Sequence, residues 1–350
     1  MLSIQERGEN RTALHLTFHP LEGPQSGRRG SLRQAASGRR LLYLEMRNSY
    51  PGSWRLMSLR WMAGTSFIIY IPFPMLLMSQ NYSVLMSVYY KEHPDYLRQS
   101  MQSIYDQTVP TDNFVLVCDG SLTPELDAVI AEMQKKFGSR LYVHRLARNG
   151  GLGNALNEGM KYCKNELVAR MDSDDISRPD RCEKEFKMLT THPEISVLGG
   201  FIEEFIEDTN HVCSIRMVPE KQDAILRFAK KRNPFNHVSV MYRKSAVESV
   251  GSYESFFLLE DYYLWIRMLN NGYQGYNLQE PLVWVRVGKD MYKRRGGWKY
   301  VQSQRNLFKY MAQTGFITGS QYQVQSLVRL IGAIIPNWLR AILFQKLLRN

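Results

Sequence analysis

Between Tyr82 and Asp172 short apolar runs alternate with amphipathic stretches, and this alternation constrains the fold more than any other feature of the chain. Tyr82–Val88, Phe114–Cys118, Leu141–Leu146 and Leu167–Met171 read as strands. The intervening helix patterns put Leu97, Met101, Ile104 and Tyr105 on one face, then Leu126, Val129, Ile130, Met133 and Phe137, and a Gly-rich turn then leads to a helix around Leu156–Tyr162. Strands joined by amphipathic helices predict an α/β fold: a Rossmann-like, largely parallel sheet with right-handed crossovers and helices on both faces. Ligands in such sheets lie beyond the carboxyl ends of the strands. Asp119, Asn149 and Asp172 each follow a strand directly, so they are expected to converge on one edge.

The second half is more mixed. Ile195–Gly199, Phe201–Ile206 and His211–Met217 read as strands, the latter two as a hairpin. Val238–Tyr242 is another strand, and Lys244–Val250 is a short helix ending at Gly251. Glu260–Asp261 open a helix carrying Leu264, Trp265, Met268 and Leu269, closed by Asn271–Gly272, and Leu282–Val287 is the last strand.

A length of 350 residues holds one large domain or two small ones, and the net charge of +12 is unevenly spread. Residues 1–77 carry ten Arg, four Glu, no Lys and no Asp, which is half of the excess. The remainder is mildly basic and suits an anionic substrate or an acidic membrane surface. No zinc spacing, basic heptad helix or aromatic RNA-binding pattern is present, so nucleic acid is not an expected partner. Cys118, Cys163, Cys182 and Cys213 form no C-x-x-C and read as thiols of a reducing cytoplasm.

Residues 1–77 have no helix or strand periodicity, and Leu21–Arg40 is rich in Gly, Ser, Arg and Gln. Phe67–Leu77 is apolar, but it is short and interrupted by Pro72 and Pro74, so no bilayer span is expected. Met78 reads as the natural start, with 1–77 a disordered or non-native extension, 78–297 the α/β domain and 298–350 a helical region. An Arg-rich transit peptide is the weaker alternative for the extension. In the tail, Leu327, Leu330, Ile331, Ile334, Ile335, Trp338, Leu339, Ile342, Leu343 and Leu347 interleave with Arg329, Arg340, Lys346 and Arg349, and Pro336 splits the segment in two. This reads as an amphipathic tail on an anionic membrane surface, against the alternative of a helix packed on the domain.

Four stretches carry chemistry. Asp172–Ser173–Asp174–Asp175 puts three carboxylates within four residues at a strand end, where they can share a hard divalent ion with the oxygens of a diphosphate. Its bland reading is a solvated turn, with Asp175 or Ser177 capping the next helix. Asp119–Gly120–Ser121 offers a carboxylate to a base or ribose, or is a plain turn. Arg148–Asn149–Gly150–Gly151–Leu152–Gly153 enters a helix and allows close approach to phosphate, although its glycines lack the dinucleotide spacing. Glu260–Asp261 at a helix start supplies a base, or a cap.

In order and separation these pieces, with Ser87–Val88–Tyr89 and Lys91–Glu92, resemble the family-two glycosyltransferases of the GT-A fold, from about Tyr82 to Arg295. Cys118 stands where that family often has Asp, and Lys91 near a frequent Asn. The resemblance implies a nucleotide-sugar site of Tyr89, Glu92, Asp119, Arg148, Asn149, Gly151 and Asp172, a Mg²⁺ or Mn²⁺ site of Asp174 and Asp172, and Asp261 as catalytic base beside Glu260. It implies metal-dependent single displacement with inversion, from a nucleotide-diphosphate sugar, expected to be a UDP-sugar, to a saccharide hydroxyl. Arg286–Val287 and Arg294–Arg295–Gly296–Gly297 resemble the subset that builds capsular and exopolysaccharide, which implies a lipid-linked acceptor and a peripheral place on the inner face of the cell membrane. Two other classes compete. A nucleotidyltransferase wants a Gly-rich basic loop after the first strand, where Tyr89–Tyr90–Lys91–Glu92 stands instead. An inactive nucleotide-sugar-binding protein on the same fold would lose the acidic residues first, and all are present.

Overall fold

The computed structural model describes residues 2–5, 13–16, 43–46, 54–60, 66–72, 81–288 and 297–334. The chain divides into two units, Met1–Met78 and Ser79–Asn350. In the first, Leu2–Gln5 pairs antiparallel with Ala13–Leu16, and Trp54–Arg60 pairs antiparallel with both Tyr43–Met46 and Ser66–Pro72. Met78, Arg294–Gly296 and the tail from Ile335, including Pro336, lie outside the described residues.

The second unit begins with the expected alternation. Strand β1 (Tyr82–Val88) leads to helix α1 (Pro94–Tyr105), β2 (Asn113–Cys118) to α2 (Pro124–Phe137), β3 (Leu141–Arg145) to α3 (Leu152–Met160), and then β4 (Leu167–Asp172) follows. Proline at the first turn and a capping side chain start α1 and α2. His93 Nδ1 accepts the Asp95 N–H at 3.3 Å, and Thr123 Oγ1 accepts the Leu126 N–H at 3.4 Å. Every residue of β2 is buried, as a strand covered on both faces must be. β4, β1, β2 and β3 lie side by side and parallel.

The rest is β5 (Ile176–Ser177), α4 (Arg181–Thr191), β6 (Ile195–Phe205), β7 (Val212–Arg216), α5 (Gln222–Ala229), β8 (Met241–Arg243), α6 (Lys244–Ser249), α7 (Glu260–Asn270), β9 (Gln274–Arg286), α8 (Trp298–Gln313) and α9 (Gly319–Ile334). Among the described residues the sheet has nine strands, in the order β5-β9-β6-β8-β4-β1-β2-β3, with β7 on β6. It is mixed rather than largely parallel. β8 runs antiparallel to both β4 and β6, β5 to β9 and β7 to β6, while β6 and β9 are parallel. The strict strand–helix alternation that dictates parallel pairing ends at β4, and the later strands include a direct turn and a hairpin.

Several expected boundaries move. The strand expected at Val238–Tyr242 is only Met241–Arg243, because His237–Ser239 forms a 3-10 turn, and the helix expected around Leu156–Tyr162 runs from Leu152 to Met160. Ile195–Phe205 is one strand with register shifts around Phe201, not two. The last strand begins at Gln274, and Pro281, which has no N–H, sits beside Phe201 where the register slips. The helix after the acidic turn starts at Arg181, so neither Asp175 nor Ser177 caps it. The Phe201–Ile206/His211–Met217 hairpin forms as β6–β7.

Two apolar cores flank the sheet. One packs Leu97, Met101, Ile130, Met133 and Leu189 of α1, α2 and α4, and the other packs Leu156, Trp265, Met268, Leu307 and Met311 of α3, α7 and α8. Cys118, Cys163 and Cys182 are buried free thiols, whereas Cys213 is exposed. No helix among the described residues is long and apolar enough to cross a membrane. In α9 the half-buried Tyr322, Gln325, Ser326 and Arg329 share one face, while Val324, Leu327, Val328 and Ile331, spaced for the opposite face, are all exposed.

Candidate active site

Met171 buries its side chain, and the chain emerges from β4 at Asp172 into the acidic turn. Asp172, Asp174 and Asp175 each offer a carboxylate oxygen within 4.8 Å of the others, an all-oxygen donor set that fits a hard divalent ion. Asp174 is pushed up to about 7 by burial first, then by the charges of Asp172 and Glu92. Burial and the neighbouring Asp174 hold Asp175 well above the usual carboxylate range. Asp175 is also turned away from solvent, accepting the Arg286 backbone N–H at 2.8 Å. Asp172 and Asp174 are therefore the members of the cluster that remain partly exposed and able to ligate.

The turn is held from three sides. Ser100 Oγ donates to the Asp172 carbonyl at 2.6 Å, and Ser173 Oγ donates to Glu92 at 2.5 Å. Arg286 Nε donates to the Asp174 carbonyl at 3.2 Å and its Nη2 to Gln99 at 2.8 Å, with the guanidinium 3.9 Å from the Tyr96 ring centroid and 4.7 Å from that of Phe205.

Beyond β2, Asp119 is buried and its carboxylate faces the glycine loop, accepting the Gly150 N–H at 2.7 Å and the Gly151 N–H at 3.0 Å. Asn149 Nδ2 donates to the Asp119 carbonyl at 3.2 Å. At Gly120 (φ 87°) an added Cβ would lie 2.8 Å from the Asn149 backbone nitrogen, so glycine permits this contact. Asp119 thus ties two strand-end loops together, a use that the base-or-ribose assignment alone does not anticipate. Arg148, Asn149 and Gly151 stay exposed, as does Tyr89, whose ring stands edge-on to Tyr90 at 5.8 Å.

The glycine loop also touches the second acidic centre. A Cβ at Gly153 would lie 2.8 Å from the Glu254 carbonyl oxygen and 3.3 Å from Glu260 Cβ, so α3 meets the start of α7 there. Asp261 accepts the Tyr262 N–H at 2.7 Å and Asn233 Nδ2 at 2.6 Å. Burial raises Asp261 above the ordinary aspartate value despite these donors, and burial with the adjacent Asp261 charge raises Glu260 to about 7. Leu259, which makes no side-chain capping hydrogen bond, occupies the cap position, and Asp261 in the first turn satisfies one of the free N–H groups of α7.

With this geometry in view, comparison with known proteins is direct. The family model described as Glycosyl transferase family 2 matches residues 83–256. Amylovoran biosynthesis glycosyltransferase AmsE of Erwinia amylovora is 38% identical over 76% of this chain and 98% of its own. The chain belongs to glycosyltransferase family 2. An Escherichia coli relative, named a UDP-Gal:alpha-D-GlcNAc-diphosphoundecaprenol beta-1,3-galactosyltransferase, is 35% identical over 77% of this chain and 97% of its own. The crystal structure of S. aureus TarS 1-349 in complex with UDP-GlcNAc shares the fold, with a TM-score of 0.55 at 18% identity over 76% of this chain and 75% of that one. The protein is therefore a glycosyltransferase, with a GT-A-like α/β fold and relatives in polysaccharide biosynthesis.

Sequence reasoning missed one residue of this glycosyltransferase's candidate site. Arg170 points off the apolar strand β4 and is 1% exposed, with its Nη2 paired to an oxygen of Asp172. Its Nε and Nη1 find no hydrogen-bond partner among the described residues. Its charge also acts on Asp174, Glu260 and Asp261, favouring their ionised forms. A lone Arg in an otherwise apolar strand, two residues before an Asp, was the available signal.

Proposed function

We propose that this glycosyltransferase moves a sugar from a UDP-sugar to a hydroxyl of a lipid-linked saccharide, in a metal-dependent inverting displacement during surface polysaccharide assembly. The observation that carries this reading is the pair of acidic centres, Asp172–Asp175 at a strand end and Glu260–Asp261 at a helix start, on either side of the buried Arg170. UDP is supported by the nucleotide in the TarS complex and in the name of the Escherichia coli relative, and that name also supplies the lipid diphosphate acceptor.

Asp172 and Asp174 would hold a Mg²⁺ or Mn²⁺, which would supply positive charge against the leaving diphosphate. Tyr89, Glu92, Asp119, Arg148, Asn149 and Gly151 line the strand ends as the donor's nucleotide site, with Asp119 acting through the glycine loop. Asn233 and the Tyr262 N–H orient Asp261, whose remaining lone pairs accept the acceptor's proton. As that O–H bond opens, the acceptor oxygen bonds the anomeric carbon, and the carbon–oxygen bond to the diphosphate breaks with its electron pair leaving on phosphate. Burial makes Asp261 a stronger base than an exposed aspartate. The outward apolar stripe of α9 supports a peripheral seat on the inner face of the cell membrane.

Calorimetric titration of UDP with and without Mn²⁺ tests the donor site. Binding is expected to require the metal in the wild type and to be lost in Asp174→Asn with the fold intact. Metal-independent binding that survives Asp174→Asn would make the acidic turn a solvated turn.

A further inference from the structure

We propose that the loop leading into the base helix, together with the first turn of α8, is a tip that seats on an anionic lipid surface and sets the base at the height of a lipid-held acceptor. This rests on the reading that the acceptor is lipid-linked. Phe257 and Leu258 are each 42% exposed, and Trp298 is 67% exposed. Leu258 has φ 58°, a left-handed conformation that L residues with large side chains avoid, and the backbone nevertheless keeps this leucine outward. Lys299 Nζ lies 4.2 Å from the Phe257 ring centroid, and Ser303 Oγ donates to the Phe257 carbonyl at 2.8 Å, so the loop and α8 form one surface.

That surface passes straight into the chemistry. Leu259 is buried and its carbonyl accepts the Tyr263 N–H at 2.8 Å, so the next residues after the tip are Glu260 and Asp261 in the first turn of α7. Tyr262 Oη donates to the Ala229 carbonyl at 2.6 Å and Arg329 Nη2 to the Lys231 carbonyl at 2.7 Å, which braces α7 and α9 on the same end of α5. The charge pattern selects the occupant. Residues 297–334 contain Lys299, Arg305 and Lys309, with Arg329 turned to the body, and no Asp or Glu. Exposed apolar side chains among cations match acyl chains beneath anionic headgroups, whereas a second copy of the chain would bring like charges together.

The test uses the full chain and phosphatidylcholine vesicles containing phosphatidylglycerol, with and without brominated acyl chains. Brominated vesicles are expected to quench a component of tryptophan emission that is absent in Trp298→Phe. Phe257→Ser is expected to weaken partition about fivefold or more while leaving Mn²⁺-dependent UDP affinity unchanged. Leu258→Gly separates this role from a structural one: it should weaken partition while raising Tm, because glycine accepts the left-handed φ. A lower Tm with unchanged partition would make Leu258 a packing residue and overturn the tip. Vesicle binding without quenching at position 298 would also overturn it, since another face or the tail from Ile335 would then be the contact, and the peripheral-membrane reading would stand. Absence of vesicle binding would overturn both, while UDP binding in the same samples reports on the donor site independently.

Discussion

Asp172, Asp174 and Asp175 stand where a parallel strand ends, whereas Glu260 and Asp261 stand where a helix begins, and the two settings treat a carboxylate differently. At the strand end three acidic groups crowd together, and burial with mutual repulsion lifts Asp174 to about 7. The protein supplies that turn with backbone anchors and one buried cation, and leaves a deficit of positive charge that a divalent cation would offset. At the helix start the dipole, the Tyr262 N–H and Asn233 already stabilise Asp261, so the group is oriented without a ligand. On the proposed reading the donor centre depends on an ion, whereas the base centre is preformed.

This contrast can be broken by mutation. The largest stability effect is expected for Asp172→Ala, which leaves the fully buried Arg170 without its ion pair. A loss of about 3 kcal/mol is expected, the low end for such pairs because Asp172 is partly exposed. Denaturant unfolding measures it, and a loss near zero would mean that Arg170 is neutralised from the base side instead. Asp174→Asn should act in the opposite direction. Its folded-state value near 7 lies above the unfolded value of about 3.9, so the folded metal-free protein binds the extra proton. Stability of the metal-free protein should therefore fall as pH rises from about 4 to about 7, and Mn²⁺ should restore it. Asp174→Asn should make the pH slope shallower, with Asp175, Glu185 and Glu260 keeping the rest, and should remove the response to Mn²⁺, read as Tm against pH. The smallest effect concerns the first unit: we propose that a chain beginning at Met78 keeps the Tm and the UDP affinity of the full chain, and loss of folding on that truncation would refute it.

How much of this was readable from sequence follows the range of the interactions. The parallel strands, the acidic turn and the start of α7 were legible, because strand and helix periods and turn residues act over a few positions. The antiparallel insertion of β8 was not, since Met241–Arg243 carries no sign of which strands it will separate. Arg286 reaches Asp175 across 111 residues, and the pattern alone gave it no such partner. Asp119 was found as a strand-end carboxylate, but its use on the Gly150 and Gly151 amides depends on a loop 31 and 32 residues later. In α9 the periodicity reveals an apolar stripe, yet only packing tells that Arg329 faces the body and Leu327 faces out.

The central claim, an ion-dependent donor centre facing a preformed base, is tested most directly by Asp261→Asn, with UDP affinity and single-turnover transfer measured on one sample. The substitution keeps the size of the side chain and its carbonyl acceptor, and removes the charge proposed to take the acceptor's proton. The account predicts Mn²⁺-dependent UDP affinity and Tm close to wild type, with transfer slowed by about 10²–10⁴. Wild-type turnover in Asp261→Asn would contradict it and leave Asp261 as a residue that only fixes the start of α7.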